Sequence, residues 1–484
     1  MATPRSSKQI TPMSEDFDRW YVEVVRRAEL ADYTPVKGCM VIRPYGFALW
    51  ERTRDALDAM IKRTGHENMY FPLLIPESYL IKEAQHVEGF APEVAWVTHG
   101  GNKELEERLA IRPTSETIIC SMYADWIHSW RDLPVLINQW ANVYRWEKRT
   151  RLFLRTAEFL WQEGHTFHET DEEAAAEVET MLDCYRELAE EWLAMPVIKG
   201  RKTDSEKFAG ARYTVSIEAM MADGWALQAG TSHHLAQNFT SAYGIQYTDR
   251  ANELKNPFQT SWGLSTRIIG ALIMAHGDDA GLVIPPRVAP IQVVVVPISR
   301  SNDEESSALV EAALARLEAE VPDGVRMRID RREGMRPGEK FAEWELRGVP
   351  LRVTAGAKDL ADGNVTVVRR VDGQQSVVPL DGLATRLPAL LEEAQVAIWE
   401  RACARLEERS VDVTSLEELV ASFSERPVFA SGPFCDRPEC EVAVKAAVHA
   451  ATVRNLRADR SAGGAPCLAC GTPSEHVALI ARAY

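Results

Sequence analysis

Between Tyr144 and His165 the chain reads YRWEKRTRLFLRTAEFLWQEGH, and Arg145 to Arg155 holds five basic residues against one acid. The formal net charge of the whole protein is −16, so this cluster stands against the prevailing charge. Cations gathered in this way suggest an anionic ligand for Arg145, Lys148, Arg149, Arg151 and Arg155, and the guanidiniums among them match phosphate and carboxylate oxygens two at a time. A solvated basic hairpin has the same composition, so the run alone leaves both readings open. Further along, SWGLSTRIIGALIMAHGD (Ser261 to Asp278) sets Gly263 and Arg267 at the head of an apolar run. Ile268, Ile269, Leu272 and Ile273 are spaced for the inner face of a helix. Arg267 then falls in its first turn, where dipole and charge both favour an anion. A buried arginine is costly alone, so a purely structural role for Arg267 would need an acidic partner nearby. Upstream, GHENMYFP (Gly65 to Pro72) ends in a proline where a helix gives way to a strand.

A second set of side chains points to metal. Four of the eight cysteines cluster near the C-terminus as Cys435-x4-Cys440 and Cys467-x2-Cys470. Two such pairs supply the four thiolates of a tetrahedral structural Zn2+ site, with no open position for a catalytic water. Cys39, Cys120, Cys184 and Cys403 are scattered in apolar or helical contexts, as reduced thiols are.

These residues need a scaffold, and the chain is long enough for about three domains. At 46% hydrophobic residues it has the composition of a soluble globular protein. MATPRSSKQITPMSED lacks the apolar core of a signal peptide, and no apolar run approaches the ~18 residues of a membrane span. A cytoplasmic protein with no membrane partner is expected. The acidic balance argues against a protein that coats nucleic acid, but RNA contact depends on a local patch. Arg326 to Arg370 supplies a modest one, with eleven Lys/Arg against seven Asp/Glu.

Phe17, Trp20 and Val24 mark one face of an N-terminal helix, and a second helix is predicted from Phe47 to Arg63. Val178, Met181, Leu182, Tyr185, Leu188, Ala189 and Trp192 form the apolar stripe of a helix over Asp171 to Leu193. With short strands between, residues 1–284 read as a mixed antiparallel sheet with flanking helices. Pro285, Pro286 and Pro290 mark a linker. After it the pattern is βαβαβ: strand Ile291 to Pro297, helix Asp303 to Ala319, strand Val325 to Ile329, helix Gly338 to Arg347, strand Pro350 to Thr354. That alternation predicts a mostly parallel sheet. A long helix from Ala389 to Glu408, with Pro388 at its start, leads to the cysteine segment.

In order and spacing, three segments resemble the signature motifs of class II aminoacyl-tRNA synthetases. Pro72 matches the first, Arg145-x-Glu147 with Arg155-x-x-x-Phe159 the second, and Gly263-Leu-x-x-Arg267 the third. RPYGFALWE (Arg43 to Glu51), RPTSE (Arg112 to Glu116), FLWQEGHT (Phe159 to Thr166), KFAGA (Lys207 to Ala211) and LQAGTSHHL (Leu227 to Leu235) narrow the resemblance to prolyl-tRNA synthetases of the archaeal/eukaryotic type. It runs from Ser14 to Tyr484 and implies three units. Residues 1–284 would be an α+β class II catalytic domain, 285–400 an α/β anticodon-binding domain, and 401–484 a small C-terminal zinc-binding α/β domain.

The resemblance implies ATP-dependent formation of prolyl-adenylate, then transfer of proline to the terminal ribose of tRNA(Pro), by a homodimer joined around the first motif. Arg145 would bridge the L-proline carboxylate and the α-phosphate. Arg155 and Arg267 would hold the bent triphosphate, with Mg2+ beside it. Phe159 would stack on adenine and Glu147 accept from its amine, while Gln228 and Thr231 lie near the nucleotide. Thr114 and Glu116 would contact the secondary ammonium, with Trp161, Glu163, His165, Phe208 and His233 around the ring. Without the motifs, Trp161 and Phe208 read as core aromatics and His165 as a satisfied histidine. Glu345, Arg352 and Lys358 fall where the family contacts two anticodon guanines; a surface salt-bridge set is the plain reading. In similar enzymes the terminal tyrosine, here Tyr484, folds back toward the catalytic site; a frayed end is the alternative.

Only 97 residues separate Glu163 from Ser261, which leaves no room for the editing domain that bacterial-type relatives carry between the second and third motifs. Misactivation of alanine, and of cysteine, without hydrolysis in cis is therefore expected. Threonyl, glycyl and histidyl synthetases share the implied scaffold. The absence of cysteine from the pocket motifs counts against a threonyl enzyme, whose catalytic zinc needs one. A synthetase-like binding protein would have shed Arg145, Arg155 or Arg267, and a zinc-bearing RNA-binding protein leaves the first 280 residues unexplained.

Overall fold

A computed structural model of the chain describes residues 10–86, 94–299 and 303–484. The first nine residues of the polar N-terminal segment lie outside these. The described residues build an eleven-stranded central sheet. Its strands run in the order Ser410–Asp412, Phe429–Phe434, His476–Arg482, Ala451–Ser461, Val197–Arg201, Tyr213–Met220, Ala226–Ala236, Phe258–Ser265, Glu158–His168, Val135–Tyr144, Glu67–Asn68. All neighbours are antiparallel except the outermost pair at each edge. The expected antiparallel sheet is therefore present, and it extends without a break into the C-terminal segment.

The two long strands Val135–Tyr144 and Glu158–His168 pair residue for residue from Val135↔Phe167 to Tyr144↔Glu158. Period two then puts Trp161, Glu163 and His165 on one face, opposite Ser265, Gly263 and Ser261 of the next strand. On the other face Gly164 lies flat against Trp262, where a Cβ would stand 2.0 Å from the indole. Helix Asp171–Glu187 covers that back face. Thr170 and Glu173 close a capping box at its start, and Val178, Met181, Leu182 and Tyr185 are buried on the sheet. The expected helix through Leu193 changes pitch on the way. Leu188–Trp192 is a wider π-helical turn, which still buries Leu188 and Ala189.

Helix Phe17–Arg27, capped by Asp16, buries Trp20, Tyr21, Val24 and Val25 in the same core. The second helix is Pro44–Arg63, three residues longer at its start than predicted because Pro44 supplies a natural first position. Leu282, Val283 and Ile284 are buried before Pro285, and Arg326 donates to the carbonyls of Pro286, Arg287 and Ala289, so the linker is pinned rather than loose.

Beyond it the βαβαβ unit forms as read: strands Val293–Ile298, Met327–Ile329 and Leu351–Gly356 are parallel, joined through helices Glu304–Glu320 and Pro337–Leu346. The sheet is mixed rather than mostly parallel, since Asn364–Arg369 and Gln375–Pro379 add two antiparallel pairings. A hairpin connection is too short for a parallel crossover, which decides their direction. The connecting helix is Leu383–Glu408, beginning after Gly382 in the left-handed region (φ 71°). Pro388 sits inside it rather than at its start, sacrificing one backbone bond in exchange for six further helical residues.

The C-terminal segment has its own core around Val413, Leu419, Phe434 and Val444. Tyr484 is docked, not frayed. Its ring packs on Trp225 (5.2 Å) and Phe17 (6.5 Å), its hydroxyl donates to Asp223 at 2.5 Å, and the Arg151 guanidinium lies 5.5 Å above it.

Candidate active site

The front face of the sheet carries a cavity of about 370 Å³. Thr114, Glu116, Arg145, Glu147, Arg155, Phe159, Trp161, Glu163, His165, Phe208, Gln228, Thr231, His233 and Arg267 all line it. Every residue that the sequence offered for ATP or proline therefore meets in one space, drawn from segments spread over 154 positions of sequence between Thr114 and Arg267.

At one end three guanidiniums are held by their stems and leave nitrogens for a ligand. Arg145 Nε donates to the carbonyl of Pro113 (3.0 Å), and its charge lies 5.4 Å from both the Phe159 and Trp161 rings. Arg267 Nε donates to the Leu154 carbonyl (3.0 Å), and its backbone N–H to Ser265 Oγ (3.2 Å). Burial lowers the pKa of each from the usual arginine value; Glu116, Glu163 and Glu147 oppose that for Arg145, and both remain cations. Arg155 Nε is bound to Glu147 at 2.7 Å. The two residues assigned to triphosphate and adenine are thus paired with each other here, and ligand binding to either must compete with that exposed ion pair.

At the other end the chemistry is acidic and apolar. Buried Glu163 accepts from Ser115 Oγ (2.5 Å), Gln139 Nε2 (2.7 Å) and His165 Nε2 (3.2 Å). The Thr114 hydroxyl donates to Glu116. Oxygens of Glu116 and Glu163 and a nitrogen of His165 converge within 4.8 Å of one another. The rings of Phe208 and His233 pack at 4.8 Å, and Thr214 Oγ fixes His233 through Nδ1 (2.9 Å). Burial drives the His233 pKa down to about 3, with the His165 charge adding to the effect, so His233 is neutral. Trp161 Nε1, His165 Nδ1 and Ser261 Oγ are buried without a partner among the described residues, and all three residues line the cavity. Orphaned polar atoms at a cavity wall mark where a polar ligand completes the hydrogen bonding.

Burial works against the charged forms of Glu163 and His165. Their mutual contact, with Ser115 and Gln139 on one side and Glu116 on the other, outweighs it, lowering the carboxyl and raising the imidazole. The raised His165 pKa contributes stability below its ordinary value of 6.5, lost as pH climbs through the folded pKa. The lowered Glu163 pKa contributes above 4.5, lost as pH falls through its folded value. The stability advantage of the native protein over His165→Gln is therefore expected to be largest between pH 4.5 and 6.5 and to shrink on either side. Paired thermal melts across pH check this; an advantage that keeps growing into alkaline conditions contradicts it.

Sequence reading missed Lys202 and Glu206 on the cavity wall, and Ser115 and Gln139 behind Glu163. Ser115 lies within the RPTSE segment, and Gln139 alternates with Ile137 and Ala141 on one face of its strand, directly opposite Glu163, so alternation was the available signal. Of the anticodon candidates, Glu345 and Arg352 line a small depression of about 40 Å³ with Phe341 and Trp344. The Arg352 guanidinium lies 3.7 Å over Phe341, presenting a flat polar edge. Lys358, on the short helix Ala357–Ala361, does not line that depression.

The sulfurs of Cys435, Cys440, Cys467 and Cys470 all lie within 4.8 Å of one another. Cys435 Sγ is 3.4 Å from Cys440 Sγ and 3.6 Å from Cys470 Sγ. A tetrahedral zinc with bonds of ~2.3 Å requires sulfurs about 3.8 Å apart, whereas a disulfide requires about 2.05 Å. The donor set and spacing fit Zn2+.

An antiparallel sheet joining three cationic side chains to an acidic pocket is the arrangement expected of a class II synthetase core. The family model "tRNA synthetase class II core domain (G, H, P, S and T)" matches residues 96–276, "Anticodon binding domain" matches 292–390, and "Prolyl-tRNA synthetase, C-terminal" matches 416–484. The chain is 51% identical over 477 residues to Proline–tRNA ligase 2 of Clostridioides difficile, covering 99% of this chain and 98% of the relative. It is 52% identical over 485 residues to the proline–tRNA ligase of Symbiobacterium thermophilum, at 99% and 98% coverage. A relative from Roseiflexus is 52% identical over 480 residues, at 98% and 99%. The chain belongs to the proline–tRNA ligase family.

Proposed function

We propose that this chain activates L-proline with ATP and transfers it to tRNA(Pro). The observation that carries the reading is one cavity in which Arg145, innermost of the three guanidiniums, borders the acidic pocket. Its guanidinium faces the Arg155/Arg267 pole on one side and the Glu116–Glu163–His165 pocket on the other. A zwitterion with a small apolar ring fits that gradient: ammonium at Thr114 and Glu116, ring against Trp161, Phe208 and His233, carboxylate at Arg145. The triphosphate lies toward Arg155 and Arg267, entering as its Mg2+ complex, with Phe159 under adenine and Gln228 and Thr231 beside the nucleotide. Glu147, freed from Arg155, accepts from the adenine amine.

The chemistry needs position more than a protein nucleophile. A proline carboxylate oxygen attacks the α-phosphorus, the bond to the β-phosphate bridge breaks, and pyrophosphate leaves. Negative charge builds on the α-phosphate oxygens, where Arg145 is already in place. The terminal ribose hydroxyl then attacks the acyl carbon and AMP departs. Glu345 and Arg352 read anticodon bases beside Phe341, with Lys358 contributing from the neighbouring helix. The four cysteines hold a structural Zn2+, which supplies cross-linking and no chemistry. The enzyme works as a homodimer in the cytoplasm; among the described residues no helix is long and apolar enough to cross a membrane.

ATP–pyrophosphate exchange across all twenty amino acids tests the reading. Exchange strongest with proline is expected; a different preferred amino acid overturns the pocket, and no exchange overturns the function. Alanine is expected to give measurable exchange as well, because each missing methylene weakens binding by only ~1–3 kcal/mol. The residues between Glu163 and Ser261 are taken up by helices Asp171–Glu187 and Asn238–Tyr243, the short pair Tyr247–Thr248 and Leu254–Lys255, and strands of the central sheet, so mischarged Ala-tRNA should persist. Its rapid hydrolysis by the purified chain would contradict the absence of editing in cis.

A further inference from the structure

We propose that Arg454, from the C-terminal strand Ala451–Ser461, is a positioning residue for the ATP end of the active site. It acts through Glu218 and Lys202 on the wall beside Arg267. This rests on the assignment of that cavity to ATP and proline.

The geometry is specific. Glu218, on strand Tyr213–Met220, is wholly buried, and its two oxygens are divided between two cations. Oε1 accepts from Lys202 Nζ at 3.0 Å, and Oε2 accepts from Arg454 Nε and Nη2 at 3.1 and 3.0 Å. Lys202 Nζ also donates to the Arg454 backbone carbonyl at 2.7 Å, and Arg454 Nη1 to Thr452 Oγ1 at 3.1 Å. Lys202 is only 6% exposed, and it lines the same cavity as Arg267. The charges of Glu218 and Arg454 both bear on Arg267. Two cations around one carboxylate leave a net positive charge in the wall, on the side of the cavity that receives the most anionic ligand. Arg454 is thus the C-terminal segment's contribution to this wall: without it the Lys202–Glu218 pair would be neutral, and Glu206 on the same wall is itself paired with Lys445 of that segment.

The two segments are fitted to make this contact. Arg457 pairs with Gly200 and Leu456 with Arg201, bringing the C-terminal strand against the catalytic sheet. At Gly200 a Cβ would stand 2.4 Å from the Leu456 carbonyl oxygen, so only glycine admits the approach. Fully buried Asn455 closes the seam by donating to the Ile198 carbonyl at 3.2 Å. A carboxylate with one cation removed keeps the other, so Arg454→Met shifts the wall without abandoning a buried charge.

The test is steady-state pyrophosphate exchange with the full-length protein, varying ATP and proline separately. Arg454→Met is expected to raise the KM for ATP about tenfold, leave the KM for proline within twofold, and be largely rescued by Arg454→Lys. A residue needed only for folding would instead lower kcat at unchanged KM for both substrates, and that result overturns the proposal. So does a KM for ATP that stays within twofold. Should Arg454→Met fail to fold, Thr452→Val removes only the Nη1 tether and is expected to raise the KM for ATP two- to threefold; no change overturns the proposal in the same way. Wild-type protein that supports no proline-dependent exchange would instead overturn the functional reading itself.

Discussion

Replacing Arg145 by alanine is expected to cut proline-dependent pyrophosphate exchange by about 10³-fold while leaving the melting temperature nearly unchanged. Among the described residues the side chain makes one hydrogen bond, Nε to the Pro113 carbonyl, beside its contacts with the Phe159 and Trp161 rings, so its removal costs the fold little. What it withdraws from the cavity is larger. Arg145 is flanked by Glu116, Glu163 and Glu147, and without it two anionic substrates must approach each other beside three carboxylates. The loss should fall on kcat as well as on both KM values, because the guanidinium meets charge that grows as the carboxylate attacks phosphorus. Arg145→Lys keeps the charge but not the planar fork, and is expected to recover no more than about a tenth of the lost activity. A loss below tenfold in Arg145→Ala would remove this residue from the reaction and with it the placement of the carboxylate.

How much of this was readable in advance depends on how local the signal is. Trp161, Glu163 and His165 sit at alternate positions in one strand, so once Glu158–His168 is a strand they must share a face. Arg267 opens a helix whose inner face is announced by Ile268, Ile269, Leu272 and Ile273. Arg145, Arg155 and Arg267 converge because their motifs come as a set. The Glu147–Arg155 ion pair was hidden, since nothing in the spacing distinguishes two ligand-binding groups from two groups that bind each other. The Lys202–Glu218–Arg454 arrangement was out of reach for a different reason. Its acid and its arginine are 236 residues apart, and they meet only because one C-terminal strand pairs with Val197–Arg201. A strand that joins a distant sheet edge looks, residue by residue, like a strand of its own small domain. Pro388 misled in a simpler way: a proline at a helix start is common, and what placed it inside was Gly382, whose left-handed conformation began the helix earlier.

The second large effect is expected from removing metal. The purified protein should carry about one Zn2+ per chain, and a strong chelator, or Cys440→Ser, should bring the C-terminal segment's unfolding down by more than about 10 °C. The four sulfurs tie together distant parts of that segment. Cys435 follows the strand Phe429–Phe434 and Cys440 lies in the helix Pro438–Ala447, while Cys467 and Cys470 lie in the turn before His476–Arg482. Cys440 and Cys467 are themselves buried in the segment's core, so loss of the ion leaves thiolates or thiols packed against one another with no compensating bond. Hydrogen bonding with Thr472 lowers the Cys470 thiol from its usual value, which favours the thiolate form that zinc binds. Burial pushes the Cys440 thiol well above the usual range, so metal must displace a proton there. Zinc retention should therefore weaken on acidification, with protons taken up as metal leaves. Because the same segment carries Arg454, chelation should also raise the KM for ATP before global unfolding is seen, in parallel with Arg454→Met. Differential scanning calorimetry with and without chelator, beside metal analysis of the same sample, decides the matter. A metal-free protein with an unaltered melting profile would show that the cysteines pack without the ion.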